Sequence, residues 1–155
     1  MKGAAAWLLL ALAAGAACGR APRSDTWGAA VAAQHREADR RLDRGDVPGA
    51  LAALLALVER NAPAAVDPQQ RQLALQDTYF RLARLALTTH DSQQALAYAD
   101  LGLALGSEPH LFVANLLVAR GAAHEALADP RAAAEDYHRA LLMNETLLHE
   151  ALPQP

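Results

Sequence analysis

Three short turns in this chain follow one grammar, and that repetition constrains the fold more than any other feature. They read Gly45-Asp46-Val47-Pro48-Gly49-Ala50-Leu51, His90-Asp91-Ser92-Gln93-Gln94-Ala95-Leu96 and Ala128-Asp129-Pro130-Arg131-Ala132-Ala133-Ala134. Each places Asp second and Ala four residues after it. An Asp side chain accepts hydrogen bonds from the free N–H groups that open a helix. Each turn therefore joins the end of one helix to the start of the next. Alanine, the best helix former, is abundant, and β-branched residues are scarce. The sequence predicts an all-α chain.

Helix punctuation divides the rest. Residues 18–25 read as a tether, and the helical region spans residues 26–152. The first helix is expected from Thr26, capped by Asp25 or Thr26, to about Arg44, where Gly45 permits a left-handed end. Asp46 opens a second helix with Leu51, Leu54, Leu55 and Val58 on one stripe, ended by Asn61-Ala62-Pro63. Asp67-Pro68 opens a third with Leu75, Tyr79, Leu82 and Ala86. Asp91-Ser92 opens a fourth with Ala95, Leu96, Ala99 and Leu103. Ser107-Glu108-Pro109 is expected to open a fifth, with Phe112, Leu116, Leu117 and Gly121. Asp129-Pro130 opens the sixth, which continues to about Ala151. Paired by short links, these helices make three antiparallel hairpins.

The turn pattern resembles the tetratricopeptide repeat (TPR), whose turn reads Gly-Asp-x-x-x-Ala-Leu. The third unit matches best: Gly121 takes the small position of the first helix, and Ala133, Tyr137 and Ala140 take the small, aromatic and small positions of the second. In the second unit Tyr79, Leu82, Ala83 and Ala95 fit. In the first, Ala38, Gly45, Ala50 and Leu54 fit, while Gln34 and Glu37 replace the bulky residues. The spacing of 45 residues from Ala50 to Ala95 and 38 from Ala95 to Ala133 exceeds the family period of about 34. An insertion near residues 62–70 accounts for the first excess. The likeness covers about residues 31–147. It implies a right-handed superhelix of three hairpins, an α-solenoid; a generic Ala/Leu helical bundle is the alternative.

In such a superhelix the first helix of each hairpin lines a concave groove that binds other proteins. The resemblance places His35, Asp39, Asp77, Phe80, Arg84 and Asn115 there. Phe80 and Arg84, one turn apart, suit an extended peptide or a partner helix, through stacking and a charged hydrogen bond. The alternative is that Phe80 belongs to the core and Arg84 to the solvated surface. The family's clamp for chaperone tails needs lysines that this groove lacks, and Asn115 alone does not supply it. Beyond Tyr137, Leu141, Leu142, Leu147 and Leu148 have no further hairpin to pack on. Self-association through this last helix, a docked partner, or burial of the stripe by the helix itself are the alternatives.

The N-terminus carries a different message. Lys2 precedes the apolar run Ala4 to Ala14, which is followed by Gly15-Ala16-Ala17-Cys18-Gly19. A basic start, a short apolar stretch and small residues form a secretory signal. The run is short of the ~20 residues that span a membrane. Cys18 after small residues resembles the lipobox of bacterial lipoproteins, although Gly15 stands where Leu is favoured. The resemblance implies removal of residues 1–17 and acylation of Cys18, giving an anchor held by several acyl chains. Gly19, not being Asp, implies the outer membrane facing the periplasm. The alternative is ordinary cleavage in the Ala-rich stretch, with Cys18 a stray thiol and the protein a soluble periplasmic binding module.

Charge and side-chain chemistry narrow the function. Without Lys2 the 14 basic residues become 13, all Arg, against 17 acidic ones. That mild acidity without an Arg cluster offers no footprint for nucleic acid. His35, His90, His110, His124, His138 and His149 contain no His-x-x-x-His pair. His110 and His124 lie ~21 Å apart along one helix, too far to share an ion. Ser24, Ser92 and Ser107 sit where capping explains them, and no phosphate loop is present. The reading is a non-enzymatic scaffold without cofactor or metal, serving protein–protein interaction in envelope assembly, pilus biogenesis or secretion. A helical small-molecule carrier or enzyme is the lesser alternative.

Overall fold

A computed structural model describes residues 24–152. The signal segment, Cys18 and most of the tether lie outside the described residues. Six helices follow in order: α1 (Ser24–Asp43), α2 (Val47–Glu59), α3 (Pro68–Thr88), α4 (Ser92–Ala104), α5 (Leu111–Ala126) and α6 (Pro130–Ala151). Among the described residues there is no strand, and the chain is all-α. Among them, too, no helix is long and apolar enough to cross a membrane.

The three turns have one backbone geometry. Gly45, His90 and Ala128 are all left-handed, with φ of 75°, 61° and 62°. The next residue, always Asp, sends its N–H back to a carbonyl five residues earlier: Arg41, Ala86 and His124, at 2.8, 2.9 and 2.9 Å. The left-handed residue itself donates to Leu42, Leu87 and Glu125. This pair of bonds closes the old helix. The same Asp then opens the new one, its carboxylate accepting from Gly49, Gln94 and Ala132 at 2.9, 3.0 and 3.1 Å. One residue ends one helix and starts the next, which is why the motif repeats with so little sequence.

Two boundaries differ from expectation. Helix α1 begins at Ser24, ahead of Thr26. Helix α5 begins at Leu111, because His110 takes the capping role expected of the Ser107-Glu108-Pro109 segment. His110 is extended, with φ −156°, and its Nδ1 accepts the Phe112 N–H at 3.3 Å. Asp67 caps α3 as anticipated, accepting from Gln70 at 2.9 Å.

Packing is sequential. Each helix packs against its chain neighbours, and α3 also touches α1 and α5; among the described residues α1 touches none of α4, α5 and α6. The crossings are filled by small residues. Ala50, Ala95 and Ala133, each four residues past the capping Asp, are 0%, 0% and 3% exposed, and Ala38 and Ala83 are equally buried. Large side chains fill between hairpins: Leu54, Leu82 and Leu85 form one cluster, and Val113 and Leu117 pack with Leu103 and Ala140 in another. Gly102 lets α4 approach so closely that a Cβ there would stand 2.7 Å from Leu116 Cδ2. Gly121 similarly faces the ring of Tyr137.

Candidate functional site

Helices α1, α3 and α5 bring most of the groove candidates together, and the geometry divides them into two kinds. His35, Asp77 and Asp39 form part of a bonded chain across the α1–α3 contact. His35 is 6% exposed. Its Nε2 lies 2.9 Å from Thr78 Oγ1 and its Nδ1 3.1 Å from Asp77 Oδ2. The Thr78 hydroxyl donates to the Ala74 carbonyl at 2.8 Å.

Arg81 extends the chain. Its Nε donates to Asp77 Oδ1 at 3.2 Å, and its Nη1 donates to Asp39 Oδ1 at 3.0 Å. Burial by itself would raise the Asp77 carboxyl. The His35 hydrogen bond and the Arg81 charge outweigh burial and hold it below its ordinary value. These groups are therefore committed to one another. They fix how α3 sits on α1, and His35 and Asp77 present little surface to a ligand.

Phe80 and Arg84 are the other kind. Phe80 is half-buried against Ala83, Ala99 and Ala119, so it supports the α3–α4–α5 contact. Arg84 is exposed, with its guanidinium 5.6 Å from the centre of the Phe80 ring. A cation over an aromatic face is favourable and still leaves N–H donors outward. Among the described residues no carboxylate lies within ion-pair distance of Arg84. It stands at the edge of a shallow cavity of about 80 Å³ that also touches Asp39, Leu42, Leu85 and Thr88. Small-molecule sites usually enclose ~300–1,000 Å³. The cavity has room for a side chain of a bound peptide. Asn115 is half-buried on α5 and does not line this cavity.

Other clusters escaped sequence reasoning. Arg120 on α5 grips Asp136 on α6 through two bonds of 2.8 and 2.6 Å and reaches Asp100 on α4 at 2.9 Å. Asp136 is 4% exposed, and its bonds keep Arg120 firmly protonated. The cluster ties three helices as Arg81 ties two. Only the Asp77–Arg81 spacing of one helical turn was visible in the sequence. A further hollow of about 400 Å³ lies beneath the α2–α3 link, lined by Pro63, Val66, Leu75 and Leu105 among others.

Glu135 and His138 share the one-turn spacing of some metal sites, yet Glu135 pairs with Arg131 at 3.2 Å and His138 is exposed. Among the described residues no three His, Cys, Asp or Glu side chains are grouped to hold a metal ion. Comparison with known protein families, with curated proteins and with solved structures finds no match.

Proposed function

We propose that this chain is a lipid-anchored, TPR-like scaffold that binds a protein partner and performs no catalysis. The carrying observation is the packing order. Odd-numbered helices lie side by side, even-numbered helices back them, and among the described residues distant helices do not touch. That order, with one turn geometry used three times, is what a short α-solenoid requires. Its long face is open to an extended ligand. On that face Arg84 offers donors to a carboxylate beside a cavity of side-chain size. His35, Asp39 and Asp77 act in this reading by positioning α3, and Asn115 by polar contact further along.

The anchor rests on sequence. A basic start, a short apolar run and Cys18 after small residues favour acylation and an outer-membrane, periplasm-facing location. The partner would belong to an envelope assembly, pilus or secretion machine. The α2–α3 hollow is the observation that favours a small-molecule carrier, since its size falls in the ligand range.

Two measurements test the proposal. Intact mass of membrane-extracted protein is expected to equal residues 18–155 plus acyl chains, and Cys18→Ala is expected to abolish that form. A bare cleaved chain in the soluble fraction overturns the anchor. In-cell crosslinking from groove positions is expected to trap one defined protein, and Arg84→Glu to lower its yield at least fivefold. A yield unchanged by Arg84→Glu, with folding intact, overturns the groove assignment.

A further inference from the structure

Helix α6 leaves open a face that its counterparts use. Aligned on the capping residues Asp46, Asp91 and Asp129, Tyr137 corresponds to Leu54 of α2 and Ala99 of α4. Leu54 is 2% exposed against Leu82 and Leu85, and Ala99 is 0% exposed against Ala83 and Ala119. Leu141 corresponds to Leu103, which packs on Val113 and Leu117. In α2 and α4, therefore, this face seats the next hairpin. In α6 Tyr137 lays one side of its ring on Gly121 and donates its hydroxyl to Glu125 at 2.9 Å yet stays 37% exposed, and Leu141 is 55% and Leu148 61% exposed.

The open residues form a seam. Ala134, Tyr137, Leu141, Asn144, Leu148 and Ala151 are all exposed, and they alternate at spacings of three and four. That is the pattern of two helices packed along their length. We infer that α6 pairs antiparallel with α6 of a second copy of this chain, forming a two-fold dimer.

The seam is complementary to itself when reversed. Ala134 then faces Ala151 of the second copy, Tyr137 faces Leu148, and Leu141 faces Asn144. Small meets small, and each large apolar residue has a neighbour. Polar pairing along the flanks selects the orientation. One flank of the seam is covered by α5, where Ala140 is 2% exposed. The free flank carries His138 and Glu145, both exposed and seven residues apart. Antiparallel pairing sets His138 beside Glu145 of the second copy, and symmetry repeats the pair. Parallel pairing would set this free flank against the flank that α5 covers in the second copy, where Glu145 meets Ala140 and finds no polar partner. Asn144 near the axis penalises slipped registers, as a lone polar seam residue does. The helix is only ~33 Å long. The contact therefore stays below the ~800 Å² per partner of a standard interface, and the dimer is weak and reversible. The inference does not depend on acylation or on the groove.

The test uses the full chain purified in detergent. Sedimentation equilibrium over a concentration series spanning micromolar values is expected to fit monomer and dimer alone. Leu141→Glu, at an exposed site, is expected to keep the far-ultraviolet helix signal and to weaken the dimer at least about a hundredfold. Ala134→Cys and Ala151→Cys chains, mixed, are expected to form a disulfide dimer that needs both. Either alone places its thiols ~25 Å apart along the axis, and the unaltered chain controls for Cys18. His138→Glu is expected to weaken the dimer, and His138→Glu with Glu145→Lys to restore it. A monomer throughout the series overturns the inference. So does a ladder beyond dimer, a dimer indifferent to Leu141→Glu, or a disulfide formed by Ala134→Cys alone.

Discussion

Gly102→Ala sets two known effects against each other. Alanine in place of a helical glycine ordinarily stabilises by about 1 kcal/mol. Here the new methyl would lie 2.7 and 2.8 Å from the two terminal carbons of Leu116 and 3.0 Å from Tyr79 Cβ. Ordinary carbon contacts are ~3.5–4.0 Å. Leu116 is 0% exposed, so it has no solvent to move into. Tyr79 Cβ is attached directly to the backbone of α3 and moves only if that helix does. Overpacking of this kind costs about 1–3 kcal/mol. The net expectation is a loss of about 1 kcal/mol, combining the packing cost with the propensity gain.

Urea unfolding followed by far-ultraviolet circular dichroism measures that loss. At a slope of about 1–3 kcal/mol/M the midpoint falls by about 0.3–1 M. A double-mutant cycle identifies the cause. Leu116→Ala alone costs about 2–5 kcal/mol, and combined with Gly102→Ala the total should fall short of the sum by about 1 kcal/mol or more. A Gly102→Ala protein more stable than the parent, or a strictly additive cycle, refutes the close-approach argument.

Further expectations concern the turns and the α1–α3 chain. Ala128→Gly relieves a left-handed alanine at φ 62° and is expected to stabilise by about 1 kcal/mol in the same assay; an equal or lower midpoint counts against strain at that turn. Asp77 is held below its ordinary value of 3.8 in the folded chain. Its contribution is therefore present at neutral pH and is lost as pH falls below about 4. Asp77→Asn is expected to flatten the acid limb of a stability-against-pH curve, and an unchanged limb would remove Asp77 from the account.

Much of the fold is legible because its determinants are local. Asp46, Asp67, Asp91 and Asp129 cap the helices that their positions imply, since a carboxylate meets free N–H groups within three residues. Gly45 declares its left-handed turn by its identity. His90 and Ala128 do not, because neither residue type prefers that conformation, and the sequence assigned it to Gly45 alone. The start of α5 was misplaced because three plausible signals preceded a histidine whose capping role depends on its ring orientation.

The groove was legible as a list and not as a site. The resemblance to the repeat family placed His35, Asp39, Asp77, Phe80 and Arg84 on the first helices of neighbouring hairpins. It did not say which of them would be used up. His35 reaches Thr78 across 43 residues of sequence, and Arg81 reaches Asp39 across 42. Such bonds depend on how closely two helices approach and on their relative rotation, and neither is encoded within one helix.

The sequence by itself determined an all-α chain, its helix order and the turns that fold it into hairpins. It did so because capping, propensity and left-handed turns act within a few residues. Tertiary packing decided which polar groups were satisfied inside and which face of α6 stayed open. Those outcomes belong to the fit between helices, where one side chain's partner is chosen by the position of another helix.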